Sequence, residues 1–378
     1  MLANKNLILT IPFICISTAA INAQENPSVK SQPFMFEASY ISEVVSNFTG
    51  GIKTGTTYLG LANLAARFNT HKAGWWQGGE FRINAANTHG GEPSAELVGD
   101  FQGVSNIEAG NLTFLYELWY RQSIKNISLT LGLQDLNAEF AKSENGTLFT
   151  NSSFGIHSSL ADNIPSPIFP LTALGATFRW NVPGRFTLFT AIFDGTPDDF
   201  ENNPYNTGWK LCRNDGFLTV MEIQFYKSLI SGLIGSYKIG TYYHQQNAPI
   251  DVEQKKIGIY LIGDQEVYTT KQGKLSAFSQ LGISPKKEND NNFYYSFGLR
   301  LNGISSKRPN DEAGIAVAHA GFSNTPSRSE TAIELTYRIQ ANEKISVKPD
   351  LQYIINPSGM DAKLKNALTG LLRVELSF

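Results

Sequence analysis

Glu117, Trp119 and Arg121 stand two residues apart in the segment 112–123 (LTFLYELWYRQS). In an extended chain that spacing puts all three on one face, because strand side chains alternate sides. Arg82 holds a matching place in 79–87, between Phe81 and Ile83 with one residue either side. A carboxylate accepts hydrogen bonds, a guanidinium donates them in a planar fork, and an indole adds an apolar plane. Together they form a charge-balanced surface that wets a neutral, hydroxyl-bearing solute and repels neither ion strongly. The plainer alternative is an ion pair that keeps one wall polar.

Other residues are candidates by position. Asp135 and Asn137 open the stretch 134–171, and Phe140 and Phe149 lie within it. They join the polar set if the stretch folds back toward it, and otherwise serve loop packing. Arg179 has polar-face parity between Phe178 and Trp180. Asp194, Asp198 and Asp199 have a calcium-friendly composition, although turn capping is the expected role. The histidines His71, His89, His157, His244 and His319 show no ligand spacing, so neither metal nor cofactor is expected. Nor is there a G-x-S-x-G or another nucleophile constellation. The adjacent Asp198 and Asp199 would point apart and could not flank a glycosidic bond. Catalysis is not expected.

Elements that position such faces are legible as alternation. In 126–134, Ile127, Leu129, Leu131 and Leu133 alternate with Ser128, Thr130 and Gly132. In 329–340, Ile333, Leu335 and Tyr337 alternate with Glu334, Thr336 and Arg338. In 112–123, the same rule assigns Phe114, Tyr116, Leu118 and Tyr120 to one greasy face. Sixteen such segments are expected: 34–42, 57–68, 79–87, 112–123, 126–134, 172–180, 186–193, 217–227, 232–243, 256–263, 274–284, 293–303, 313–321, 329–340, 344–355 and 367–378. The long links 88–111, 134–171 and 194–216 interrupt them, and links of that length are usually functional.

Composition fits the pattern. Charged residues make up 17% and aromatics 12%, yet mean hydropathy is slightly negative. No run after the N-terminus is long and apolar enough for a membrane helix. Apolar side chains distributed by alternation instead suit an all-β, transmembrane, antiparallel up-and-down barrel, with one long link folded into the lumen. A soluble β-fold with inward apolar faces is the rival. Mid-strand charges at Arg82, Glu117 and Arg121, and a final strand ending on Phe378, favour the lipid barrel. Trp75, Trp76, Tyr116, Tyr120, Tyr337, Tyr353 and Phe378 are the expected interfacial girdle. A net charge of −2 gives no footprint for nucleic acid. Residues 1–23 read as a secretory signal: Lys5, the apolar run Leu7 to Thr18, and small residues up to Ala23. Residues 24–33 form a polar lead-in, and 34–378 the barrel. Beyond Cys15 of the signal only Cys212 remains, so no internal disulfide is possible.

The runs 98–109 (VGDFQGVSNIEA), 115–122 (LYELWYRQ), 131–140 (LGLQDLNAEF), 152–155 (SSFG), 167–180 (PIFPLTALGATFRW) and 193–206 (FDGTPDDFENNPYN) resemble the carbohydrate-selective porins of the OprB type. The resemblance implies a sixteen-stranded barrel in the bacterial outer membrane, with a narrow channel for passive diffusion of mono- and disaccharides. It implies that LYELWYRQ carries a constriction role onto Glu117 and Arg121, with Arg82 a looser transfer. Trp119, Asp135 and Arg179 are added to the channel set from their own positions. The expected partners are small neutral sugars, outer-membrane lipid, and the barrel-assembly machinery through the strand ending at Phe378. The chain is expected as a monomer or homotrimer. A general diffusion pore without sugar preference and a soluble sugar-binding β-protein are the alternatives.

Overall fold

The computed structural model describes residues 32–230, 232–246, 254–285, 289–323, 328–359 and 363–378. The signal read in 1–23 and nearly all of the lead-in 24–33 lie outside the described residues. Sixteen strands are present among the described residues. They are β1 (Phe34–Gly51), β2 (Gly55–Asn69), β3 (Gly79–Gly90), β4 (Leu112–Ile124), β5 (Ile127–Gln134) and β6 (Ala173–Val182). Next come β7 (Phe186–Asp194), β8 (Phe217–Tyr226), β9 (Gly235–Gln246), β10 (Gln254–Thr269) and β11 (Lys274–Ile283). The ring is completed by β12 (Asn291–Asn302), β13 (Glu312–Phe322), β14 (Ser329–Asn342), β15 (Ile345–Ile355) and β16 (Lys365–Ser377).

Each strand pairs antiparallel with its neighbours in sequence, and β1 closes onto β16. Closure leaves no open edge, which is the condition for a sheet to stand in lipid. Every expected alternating segment falls on one of these strands. The exterior carries Leu118, Leu129, Leu131, Ile259, Ile315, Leu335 and Leu372, all substantially exposed. Phe68, Trp75, Trp76, Phe81 and Tyr120 form a chain of ring contacts at one rim, and the Trp76 indole donates to the Tyr120 hydroxyl at 2.9 Å. Amphipathic aromatics at that level fit a membrane interface.

Alternation misassigned two side chains. Asn84 of β3 pairs with Glu117, but Ala85 pairs with Leu115, so Tyr116 is an extra residue, a β-bulge. A bulge shifts the face of everything beyond it by one. Phe114 and Tyr116 therefore point inward, not to lipid. Phe114 is buried and Tyr116 donates its hydroxyl to Asp135, so Tyr116 is not a girdle residue. Leu118 and Tyr120, past the bulge, keep the outward face.

The interior is not empty. The link between β5 and β6 bonds to side chains of β8, β9, β10, β11, β12, β14 and β15, on the far side of a closed ring. It must therefore cross the lumen. Along it, Leu136, Phe140, Ile156 and Leu160 pack on Phe189, Leu218, Val220, Tyr242 and Tyr260 of the wall. Leu148, Phe149 and Phe154 pack on Phe278, Tyr294 and Ala316. This covering explains why many inward wall residues are apolar. Gly314 makes room for it, since a Cβ there would stand 2.7 Å from the Phe149 ring. The link 91–111 also enters, burying Leu97, Val98, Val104 and Ile107 against Val45, Leu59, Leu61 and Phe114.

Candidate functional site: the channel constriction

Five adjacent strands, β1 to β5, and the inward link assemble one polar strip. On β1 and β2, Arg67 Nε lies 3.6 Å from Glu37 Oε1. Arg82 on β3 lies 3.5 Å from Glu37 through NH1 and donates from Nε to Glu117 Oε2 at 2.8 Å. The Trp119 indole donates to the other oxygen, Glu117 Oε1, at 3.0 Å. Above its ring sits Arg121, with Cζ 4.8 Å from the centroid. Arg121 then donates from Nε to Thr130 Oγ1 at 2.9 Å and from NH2 to Glu139 Oε1 at 2.6 Å.

The sequence-derived set Arg82, Glu117, Trp119 and Arg121 is thus brought together. Its missing members are Glu37, Arg67 and Glu139. Glu139 lies in a link with no periodicity, so nothing in the sequence ties it to Arg121. Arg179 faces inward as expected, 5.4 Å above the Phe189 ring. Asp135 stands at the start of the link. One oxygen accepts from Tyr116 at 2.7 Å and the other from the Asn137 amide at 2.8 Å. It caps the 3-10 turn Leu136–Ala138 and so helps anchor the link, the packing role that the sequence allows beside contact with solute. Phe140 and Phe149 are buried in link packing. Asp199 accepts from the Asn202 amide at 3.0 Å, a turn cap. Among the described residues no group of three or more His, Cys, Asp or Glu is arranged to hold a metal.

Buried wall side chains hold the link by its main chain. Glu222 accepts from the Ala141 amide at 2.8 Å, and Asp264 from Asn145 N at 2.9 Å and Ser143 Oγ at 2.8 Å. Lys238 donates to the Lys142 carbonyl at 2.6 Å, and Lys348 to that of Leu148 at 3.0 Å. Acids thus take amides and lysines take carbonyls, so an irregular backbone away from water keeps its polar groups satisfied.

The link 91–111 is held similarly, with one difference in charge. Glu330 accepts the amides of Phe101 at 2.8 Å and Gln102 at 3.0 Å. Burial, and then the charge of Glu330, raises the Asp100 carboxyl well above the ordinary carboxylate range. Burial pushes Glu108 up to about 7. These groups hold a proton more tightly in the folded than in the unfolded chain. Their stabilising contribution is complete below about pH 4 and is lost as pH rises through the raised values. Amide protection of residues 91–111, corrected for intrinsic exchange, is expected to fall from pH 5 to pH 8, and Glu108→Gln should flatten the trend. Protection independent of pH in the parent would contradict this.

A closed antiparallel wall with a lipid-ready exterior and a polar interior narrowed by its own link defines a porin of the bacterial outer membrane. The family model of the carbohydrate-selective porin, OprB family, matches residues 53–378, and the chain belongs to that family. It is an outer-membrane sugar porin, and family and fold are those of a channel. Porin B of Pseudomonas aeruginosa is 22% identical over 91% of this chain and 87% of its own length. A putative porin, QuiX, of Acinetobacter baylyi is 21% identical over 94% and 91%. The high-pH structure of Pseudomonas putida OprB matches with a TM-score of 0.81 and 21% identity, covering 92% of this chain and 94% of that one.

Proposed function

We propose that mono- and disaccharides cross by passive diffusion along the polar strip on β1 to β5, with Arg82, Glu117, Trp119 and Arg121 contacting the solute and Arg179 lining the same wall. The observation that carries this is the run of ion pairs, hydrogen bonds and one ring contact from Arg67 to Glu139. Every cation in it has an acid or a ring beside it, so the strip exchanges hydrogen bonds with hydroxyls without a strong field for ions. Asp135 is a positioning residue, because both its oxygens are already engaged. Residues 1–23 act as the export signal, the exterior meets outer-membrane lipid, and the strand ending at Phe378 is read by the assembly machinery.

Liposome swelling tests the reading. Glucose and a disaccharide are expected to enter faster than uncharged amino acids and ionic solutes of similar size. Glu117→Ala and Arg121→Ala should each narrow that difference, because each strands a buried partner and disorders the strip. Equal entry at equal size in the parent would reduce the protein to a general diffusion pore.

A further inference from the structure

β5 has only eight residues, and its pairing with β4 runs from Leu118↔Leu133 to Ile124↔Ile127. The upper part of β4, Leu112 to Glu117, therefore has no strand partner on that side among the described residues. Bare amides and carbonyls in a barrel wall are costly where lipid is the solvent. The notch is also where the constricting link leaves β5 and returns to β6. Two side chains and one carbonyl fill it. The Leu115 amide donates to the Tyr205 carbonyl at 3.0 Å. Asn206 Nδ2 donates to the Leu115 carbonyl at 3.2 Å and to Thr172 Oγ1 at 3.1 Å. Thr172 Oγ1 in turn donates to the carbonyl of Tyr116, the bulge residue, at 2.6 Å.

Tyr116 thereby holds both ends of the link. Its carbonyl takes Thr172 at the end, and its hydroxyl gives to Asp135 at the start. Between those ends the Leu136 amide donates to the Pro167 carbonyl at 2.8 Å. Asn206 is buried and adopts a left-handed φ of 49°, which asparagine tolerates better than most residues. Asn203 Oδ1 steadies that turn by accepting the amides of Thr207 and Gly208, each at 3.1 Å.

We propose that Tyr116, Thr172 and Asn206 form a clasp that positions the link and so sets the width and solute discrimination of the channel. The reason is geometric. Glu139 is four residues beyond Asp135, and its distance from Arg121 defines one side of the constriction. The far wall pegs the link from Ala141 onward, so the clasp governs where its first turn stands relative to β4. The discrimination part rests on the sugar-pore reading above, whereas the width part does not.

The test uses the full chain, refolded and reconstituted in planar bilayers and liposomes. Tyr116→Phe removes one hydroxyl, Thr172→Val one donor, and Asn206→Ala the bridge between the two links. Losing one net hydrogen bond raises the population of a loosened link about fivefold. Each variant should keep heat-modifiable barrel mobility yet show more open-channel current noise and higher potassium chloride conductance. The glucose-to-disaccharide entry ratio should move toward one, and Thr172→Ser should restore parental behaviour. A purely structural role predicts altered folding with unchanged current and no separate rescue. If Thr172→Val fails to assemble, Tyr116→Phe decides. Folded variants with parental noise, conductance and discrimination would overturn the clasp. A parent without sugar discrimination would overturn the sugar reading alone, since ionic current reports the clasp without any sugar.

Discussion

Glu334→Ala is expected to release the middle of the inward β5–β6 link and leave the barrel standing. Glu334 is fully buried on the inner face of β14 and accepts three hydrogen bonds from the link. They come from the Thr150 amide at 2.6 Å, the Thr150 hydroxyl at 3.1 Å and the Asn151 amide at 2.9 Å. Alanine strands two main-chain donors in a site closed to water, at about 1–3 kcal/mol each. With two donors stranded, the link is loosened by about 2–6 kcal/mol. It should appear as a fall of at least tenfold in amide protection at 148–152, together with larger, noisier channel currents. Glu334→Gln retains one acceptor oxygen and should lie between. Parental protection in the alanine variant would show that the peg bears no weight. The strand pairings of β14 to β13 and β15 do not involve the side chain, so heat-modifiable mobility should survive.

Leu118→Arg carries the opposite expectation: the link is untouched and the barrel fails. Leu118 points outward between Ile83 of β3 and Leu133 of β5 in the pairing register. An arginine on the lipid face near the bilayer midplane costs about 2–4 kcal/mol. That is a large fraction of the marginal stability on which folding rests. The fraction reaching the heat-modifiable folded form in lipid should drop steeply, while an inward substitution such as Trp119→Phe leaves it intact. Efficient assembly of Leu118→Arg would mean that this face does not meet lipid. The bulge sharpens the test. Phe114 has the same parity as Leu118 but lies inward, so Phe114→Leu should act on packing against Phe169 and Phe200, not on insertion.

Local pattern determined much of this protein by itself. Period-two alternation located all sixteen strands, since each needs one face for lipid and one for the lumen, and that demand is written residue by residue. It placed Arg82, Glu117, Trp119 and Arg121 on the inner face and marked 134–171 as a stretch too long to be a mere connection. Tertiary structure decided the rest. The bulge at Tyr116 is a mismatch between two strands, visible in neither alone, and it turned Phe114 and Tyr116 inward. The partner of Arg121 is Glu139, on a link whose path is set by distant pegs at Glu222, Asp264, Glu334, Lys238 and Lys348. Asp135 became an anchor because Tyr116 and the Asn137 amide reach it first. An alternating strand encodes its faces locally, through the solvent each side chain meets. A link without periodicity encodes only its composition, and its course follows from which buried donors and acceptors across the barrel it must satisfy.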